Sequence, residues 1–127
     1  MGPAVKPYTD LPGFEALVLE ESYVLGIQAT PGALTFDVDL VLTPEHPAYA
    51  PPAADETECF RRGRVRFCEV HRLVWDQQGA PPATDASGEI DFGHIDSLVW
   101  DDGTFRLEGD WGRMEVSASR AEVDISA

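Results

Sequence analysis

The chain has 127 residues, 43% of them hydrophobic, with 23 acidic residues against nine basic ones and a formal net charge of −14. That length suits one domain burying about two-thirds of its unfolded surface, and the apolar content excludes disorder despite the excess of acid. So acidic a chain does not suit a dedicated nucleic-acid binder, which needs a broad cationic surface to neutralise phosphates.

Residues 1–127 read as a single β domain with residues 1–13 as an N-terminal extension. Met1 to Asp10 holds two prolines and no apolar stretch, so it does not have the form of a signal peptide. No run approaches the ~18 apolar residues of a membrane helix. No membrane association is expected, and the expected compartment is the cytoplasm. Phe14 to Glu20 is the one stretch with a helical option, which Gly13 and the apolar run weaken.

From Ser22 to Thr43 the pattern is a β-hairpin. Tyr23, Leu25, Ile27 and Ala29 alternate with neighbours of different character, and Pro31-Gly32 supplies a turn. Leu34, Phe36, Val38, Leu40 and Leu42 then alternate with Thr35, Asp37, Asp39, Val41 and Thr43. Period-2 alternation gives a strand with one face in the core and an acidic face in water.

Residues 43–58 form a long proline-rich loop, because Pro44, Pro47, Pro51 and Pro52 cannot donate to a ladder. Its chemically interesting side chains, His46 and Tyr49, are candidate ligand-binding residues. The plainer reading has Tyr49 capping the core edge and His46 solvated.

A second hairpin is expected from Glu58 to Val70, turning at Gly63. A Gly63-Arg64 turn sets Cys59 opposite Cys68, in a register compatible with a cross-strand disulfide, and Arg61 opposite Arg66. A turn at Arg62-Gly63 separates the cysteines. With no export signal, two reduced thiols are the favoured state.

Leu73, Val74 and Trp75 precede a loop from Asp76 to Gly88. Two strands follow, Ile90 to Trp100 and Thr104 to Val116, around Asp101-Asp102-Gly103, a strong tight-turn signal. That register pairs Trp100 with Phe105 and Leu98 with Leu107. Val123 and Ile125 add a last short strand. Six to eight strands with little helix make an all-β fold, an antiparallel sandwich or partly open barrel.

Extending the same register aligns Asp96 with Gly109 and His94 with Trp111. His94, Asp96 and Asp110 are then candidate acid/base residues beside Trp111, a candidate ligand-stacking ring. The competing structural reading, which ranks ahead, places a bulge at Gly93 that moves both side chains to the rim, or has Asp96 bonded to loop amides. Two glycines bracketing Trp111 mark a bulge or crossing where a large ring meets backbone. His46, His71 and His94 lie on separate segments without metal-ligand spacing. Nucleophile elbow, P-loop and dinucleotide fingerprints are absent, so no cofactor and no metal are expected.

Five of the nine basic residues fall between Arg61 and Arg72; with Glu69 that segment carries +4 and the rest of the chain −18. Arg61, Arg64 and Arg66 are candidate anion-binding residues on this basic ribbon. The segments Glu21-Ser22-Tyr23-Val24-Leu25, Leu42 to Tyr49, Gly88 to Asp96 and Gly109-Asp110-Trp111-Gly112 together resemble a group of small, uncharacterised bacterial proteins. The resemblance implies a stand-alone bacterial domain and carries over no activity and no site residue.

The leading expectation is a non-enzymatic, acidic β domain of the cytosol that binds a basic protein partner, in an immunity-like or regulatory role. The ribbon then stays clear of the partner or meets an acidic surface of a second copy in a homodimer. The alternative is a small-molecule-binding protein or hydrolase-type enzyme using a cleft of His94, Asp96, Asp110 and Trp111.

Overall fold

The computed structural model describes residues 5–52, 54–76, 83–84 and 90–125. In chain order the strands are β1 (Lys6–Pro7), β2 (Leu17–Thr30), β3 (Ala33–Leu42), β4 (Cys59–Cys68) and β5 (Arg72–Asp76). After them come β6 (Ala83–Thr84), β7 (Ile90–Asp91), β8 (Ile95–Asp101), β9 (Thr104–Gly109), β10 (Gly112–Ser117) and β11 (Arg120–Ile125). Two antiparallel sheets, ordered β1-β8-β9-β10-β5 and β11-β4-β3-β2, face one another as a sandwich, and β6-β7 forms a small ribbon. The sheets do not close into a barrel.

The alternation in β3 does what its period requires. Leu34, Phe36, Val38, Leu40 and Leu42 are all buried, and at ~1.5–3 kcal/mol for each large apolar side chain this strand is a main source of stability. The opposite sheet answers with Leu98, Phe105, Leu107, Met114 and Val116. Aromatic edges lock the two layers: Phe36 meets Trp111 at 5.3 Å, and Phe67 meets Phe105 at 5.1 Å. Asp102 and Gly103 both adopt positive φ in the β8–β9 turn, and Trp100 pairs with Phe105 and Leu98 with Leu107, as the sequence predicts.

Several expectations are corrected. Phe14 to Glu20 is not helical: a turn around Phe14 leads into β2, which begins at Leu17. Burial in β2 is not the simple alternation from Tyr23. Leu19, Glu20, Glu21 and Ser22 stand opposite Leu40 alone, and Leu25 is a second extra residue between the Val24–Val38 and Gly26–Asp37 pairs. These bulges put Val24 in the core and Tyr23 outside. The wide bulge is sealed by Ser22, buried, whose hydroxyl donates to Val18 O at 2.7 Å and accepts from Val41 N at 3.0 Å.

The hairpin at Gly63 does not form. Cys59 to Cys68 is one continuous strand, with Gly63 in its middle between Val38 and Ile125. A side chain there would meet Asp124 O at 2.5 Å and Leu40 Cδ1 at 2.8 Å, so glycine marks close packing and not a turn. The cysteines sit at opposite ends of β4, about 30 Å apart along an extended strand, far beyond disulfide reach. Both are free thiols. Arg61 stands opposite Leu40, not Arg66.

Thr104 to Val116 is not one strand either. It breaks at Asp110-Trp111, and β10 returns along β9. The loop expected from Asp76 to Gly88 falls mostly outside the described residues. Residues 43–58 are irregular where described, as their prolines require.

The segment from Lys6 to Phe14 packs on the domain. β1 pairs with β8, and Tyr8, Leu11 and Phe14 join the core. The Tyr8 hydroxyl accepts from Leu19 N and donates to Leu17 O, both at 3.2 Å, and it also bonds the Glu20 carboxylate. Among the described residues no helix is long and apolar enough to cross a membrane.

Candidate functional site

The chain passes from one sheet to the other at Phe92 to Ile95. Phe92 N and Gly93 O pair with Val24 O and Val24 N, each at 2.8 Å, and His94 forms an antiparallel bridge with Tyr23. The segment thus extends the β2 edge of one sheet before turning into β8 of the other. Asp96 is the extra residue of a bulge between the Ile95–Gly109 and Ser97–Glu108 pairs.

The structure brings some predicted site residues together. Trp111 donates its indole N–H to His94 O at 3.2 Å, and Asp110 lies against the bare Cα of Gly93. Gly109 is required here, because a side chain would collide with His94 O and the indole. Trp111 itself is buried core. Asp96 faces solvent and is offset by its bulge from the predicted partner, Gly109, which pairs with Ile95. His46 and Tyr49 remain in their loop. His46 Nδ1 accepts from Ala48 N at 3.0 Å and lines a surface cavity of 480 Å³ with Gly13, Glu15, Glu45 and Pro47. Tyr49 packs against the core margin.

The basic ribbon is answered within its own sheet. Arg62, Arg64 and Arg66 share the outer face of β4 and stand opposite Asp39, Asp37 and Thr35 of β3. On the other flank, Arg64 and Arg66 stand opposite Asp124 and Glu122 of β11. Arg64 Nε bonds Asp37 at 2.9 Å, and Arg66 lies 3.9 Å from Asp124. These pairs are exposed enough to contribute only ~0–1 kcal/mol each, but they cancel the ribbon's charge locally. Arg61 donates to Phe60 O at 2.8 Å.

A cluster that the sequence reading missed lies next to this face. The wide bulge in β2 presents Glu21, with Tyr23 directly after the bulge, and Glu58 and Phe60 flank Cys59 at the start of β4. Tyr23 is 37% exposed, and with Val5 it makes up the exposed large hydrophobics of the described residues. Its ring sits 4.6 Å from that of His94 and 6.0 Å from that of Phe60. Burial holds the Glu58 carboxyl above the usual carboxylate range, a hydrogen bond with Glu21 and the Glu21 charge push it further, and His94 opposes them. Glu58 Oε2 and His94 Nε2 are buried without hydrogen-bond partners. Buried polar atoms are ordinarily satisfied, so this cluster departs from the rest of the molecule. The missed signal was the bulge, which no period-2 template contains.

Scans against protein-family models, curated proteins and solved structures each find no match. Among the described residues no group of three His, Cys, Asp or Glu side chains has an arrangement suited to a metal ion.

Proposed function

We propose that the protein is a non-enzymatic binding domain of the bacterial cytosol that engages a basic protein partner, in an immunity-like or regulatory role. The observation that carries this reading is the internal compensation of the basic ribbon. Arg64 and Arg66 are matched by Asp37, Glu122 and Asp124 within their own sheet, so the excess negative charge of the chain falls on other surfaces. An uncompensated acidic surface steers a cationic partner and sets specificity.

The enzymatic alternative has less support. Trp111, its proposed stacking ring, is filled into the core, and Asp96 points to water. The test is association of the purified protein with cationic proteins at low salt and at ionic strengths well above 0.1 M, where screening shortens to less than about 10 Å. Affinity that falls steeply with salt supports the reading. Absence of salt-sensitive association with every cationic protein tried removes it.

A further inference from the structure

We propose that the aromatic strip of Phe60, Tyr23 and His94, edged by Glu21 and Glu58, is the docking point for an arginine side chain of that basic partner. This rests on the basic-partner reading and gives it an address. Three independent features converge on the strip.

The first is the exposed tyrosine. Tyr23 leaves its ring open in a sheet whose core-facing aromatics are all covered, and it is braced by His94 on one side and Phe60 on the other. A braced, open tyrosine is a surface on which a guanidinium stacks at little entropic cost. The second is charge. Glu21 and Glu58 lie side by side at the end of the strip, and Asp55 and Glu56 precede Glu58 in its loop. A forked guanidinium matches paired carboxylates better than an ammonium does.

The third is the unmet bonding. Glu58 Oε2 has no donor in the free protein, and burial and the adjoining Glu21 both disfavour the charged form of Glu58. An arriving guanidinium brings N–H donors and a positive charge to this carboxyl pair. The device that creates this surface is the four-residue bulge held by Ser22, without which Glu21 and Tyr23 follow the regular pleat. Bulges commonly re-aim side chains at functional surfaces.

The experiment is an NMR titration of the full chain with the capped peptide Gly-Arg-Gly-Arg-Gly, its lysine counterpart and its citrulline counterpart, at low salt. The expected result is movement of the Tyr23, Phe60 and His94 signals with the arginine peptide, less with lysine and none with citrulline. Tyr23→Leu, at a site that is exposed and away from the core, should weaken binding about tenfold or more, as should Glu58→Gln, with the remaining amide spectrum unchanged.

Arginine-induced shifts confined to other acidic loops overturn the strip assignment and leave the basic-partner reading standing. Equal affinity for lysine, or unchanged binding by Tyr23→Leu, overturns the guanidinium assignment. No shift anywhere with either cationic peptide overturns both.

Discussion

The Trp111 indole N–H and the His94 carbonyl, 3.2 Å apart, tie the β9–β10 turn to the segment that carries the chain between sheets. The indole also packs edge-on against Phe36 of the facing sheet, and Trp75 donates to Trp111 O at 3.0 Å. One side chain therefore closes a corner of the sandwich and fixes the backbone of His94. Trp111→Phe leaves the His94 carbonyl without its donor and a gap beside Gly109. The expected loss is about 2–4 kcal/mol by urea denaturation, combining an unmet, partly buried carbonyl with a partial cavity. A loss below about 1 kcal/mol contradicts this role.

Gly63 gives a sharper test of register. Gly63→Ala drives a methyl group into Asp124 O and Leu40 Cδ1, and backbone on the β11 side yields only by shifting the whole strand. We expect a destabilisation of about 2 kcal/mol or more, typical of overpacking, with amide exchange accelerated in β11 ahead of β3. A neutral substitution would restore the hairpin that the sequence predicts at this position.

How much of the fold was legible divides along one physical line. Where side chains alternate without interruption, as from Leu34 to Leu42, or where Asp-Gly demands two positive φ values at Asp102 and Gly103, local chemistry determines the outcome and the sequence reading holds. Gly63 failed because a glycine permitting a turn and a glycine admitting a close backbone are identical in sequence. The wide bulge at Leu19–Ser22, Leu25 and the bulge at Asp96 failed for a related reason. Extra residues reverse the inside and outside of everything after them, and only cross-strand pairing reveals them. The Glu21–Glu58–His94 cluster is drawn from three distant segments, so no spacing in the chain announces it.

Tyr8 anchors the N-terminal segment through three oxygen and nitrogen partners on β2. Burial, reinforced by the bond to Glu20, raises its phenol well above the ordinary tyrosine range. The folded state thus holds a proton that the unfolded chain releases near pH 10, so this contribution to stability is present below that pH and is lost as pH climbs toward the folded value. Tyr8→Phe should cost about 1–3 kcal/mol at neutral pH and flatten the alkaline limb of the stability profile. An unchanged alkaline limb rules out Tyr8 as its source.

The free cysteines should differ in reactivity. Cys59 is buried at one end of β4, whereas Cys68 is partly accessible at the other. Desolvation first, and the nearby Glu122 carboxylate second, raise the Cys68 thiol, with Arg120 opposing. A thiol-specific reagent at neutral pH should modify Cys68 slowly, because little thiolate is present, and Cys59 only upon unfolding. Fast modification of both in the folded protein would contradict the placement of β4.

Glu58 links stability to the proposed binding surface. Its folded carboxyl titrates above its unfolded value, chiefly because it is buried and secondly because Glu21 lies beside it. The native state therefore binds more protons than the unfolded chain in the window just above the ordinary glutamate range of about 4.3. Stability should fall as pH rises through that window. Glu58→Gln removes the charge while keeping an N–H donor for Glu21, so its melting temperature at neutral pH should rise by a few degrees and its profile lose that downward step. The same substitution should weaken binding of the arginine peptide. A variant more stable yet poorer at binding is the signature of a residue kept for recognition at a cost to the fold. If Glu58→Gln instead lowers the melting temperature at neutral pH, the carboxyl pair is a structural bond and the strip loses its acidic edge as a recognition element.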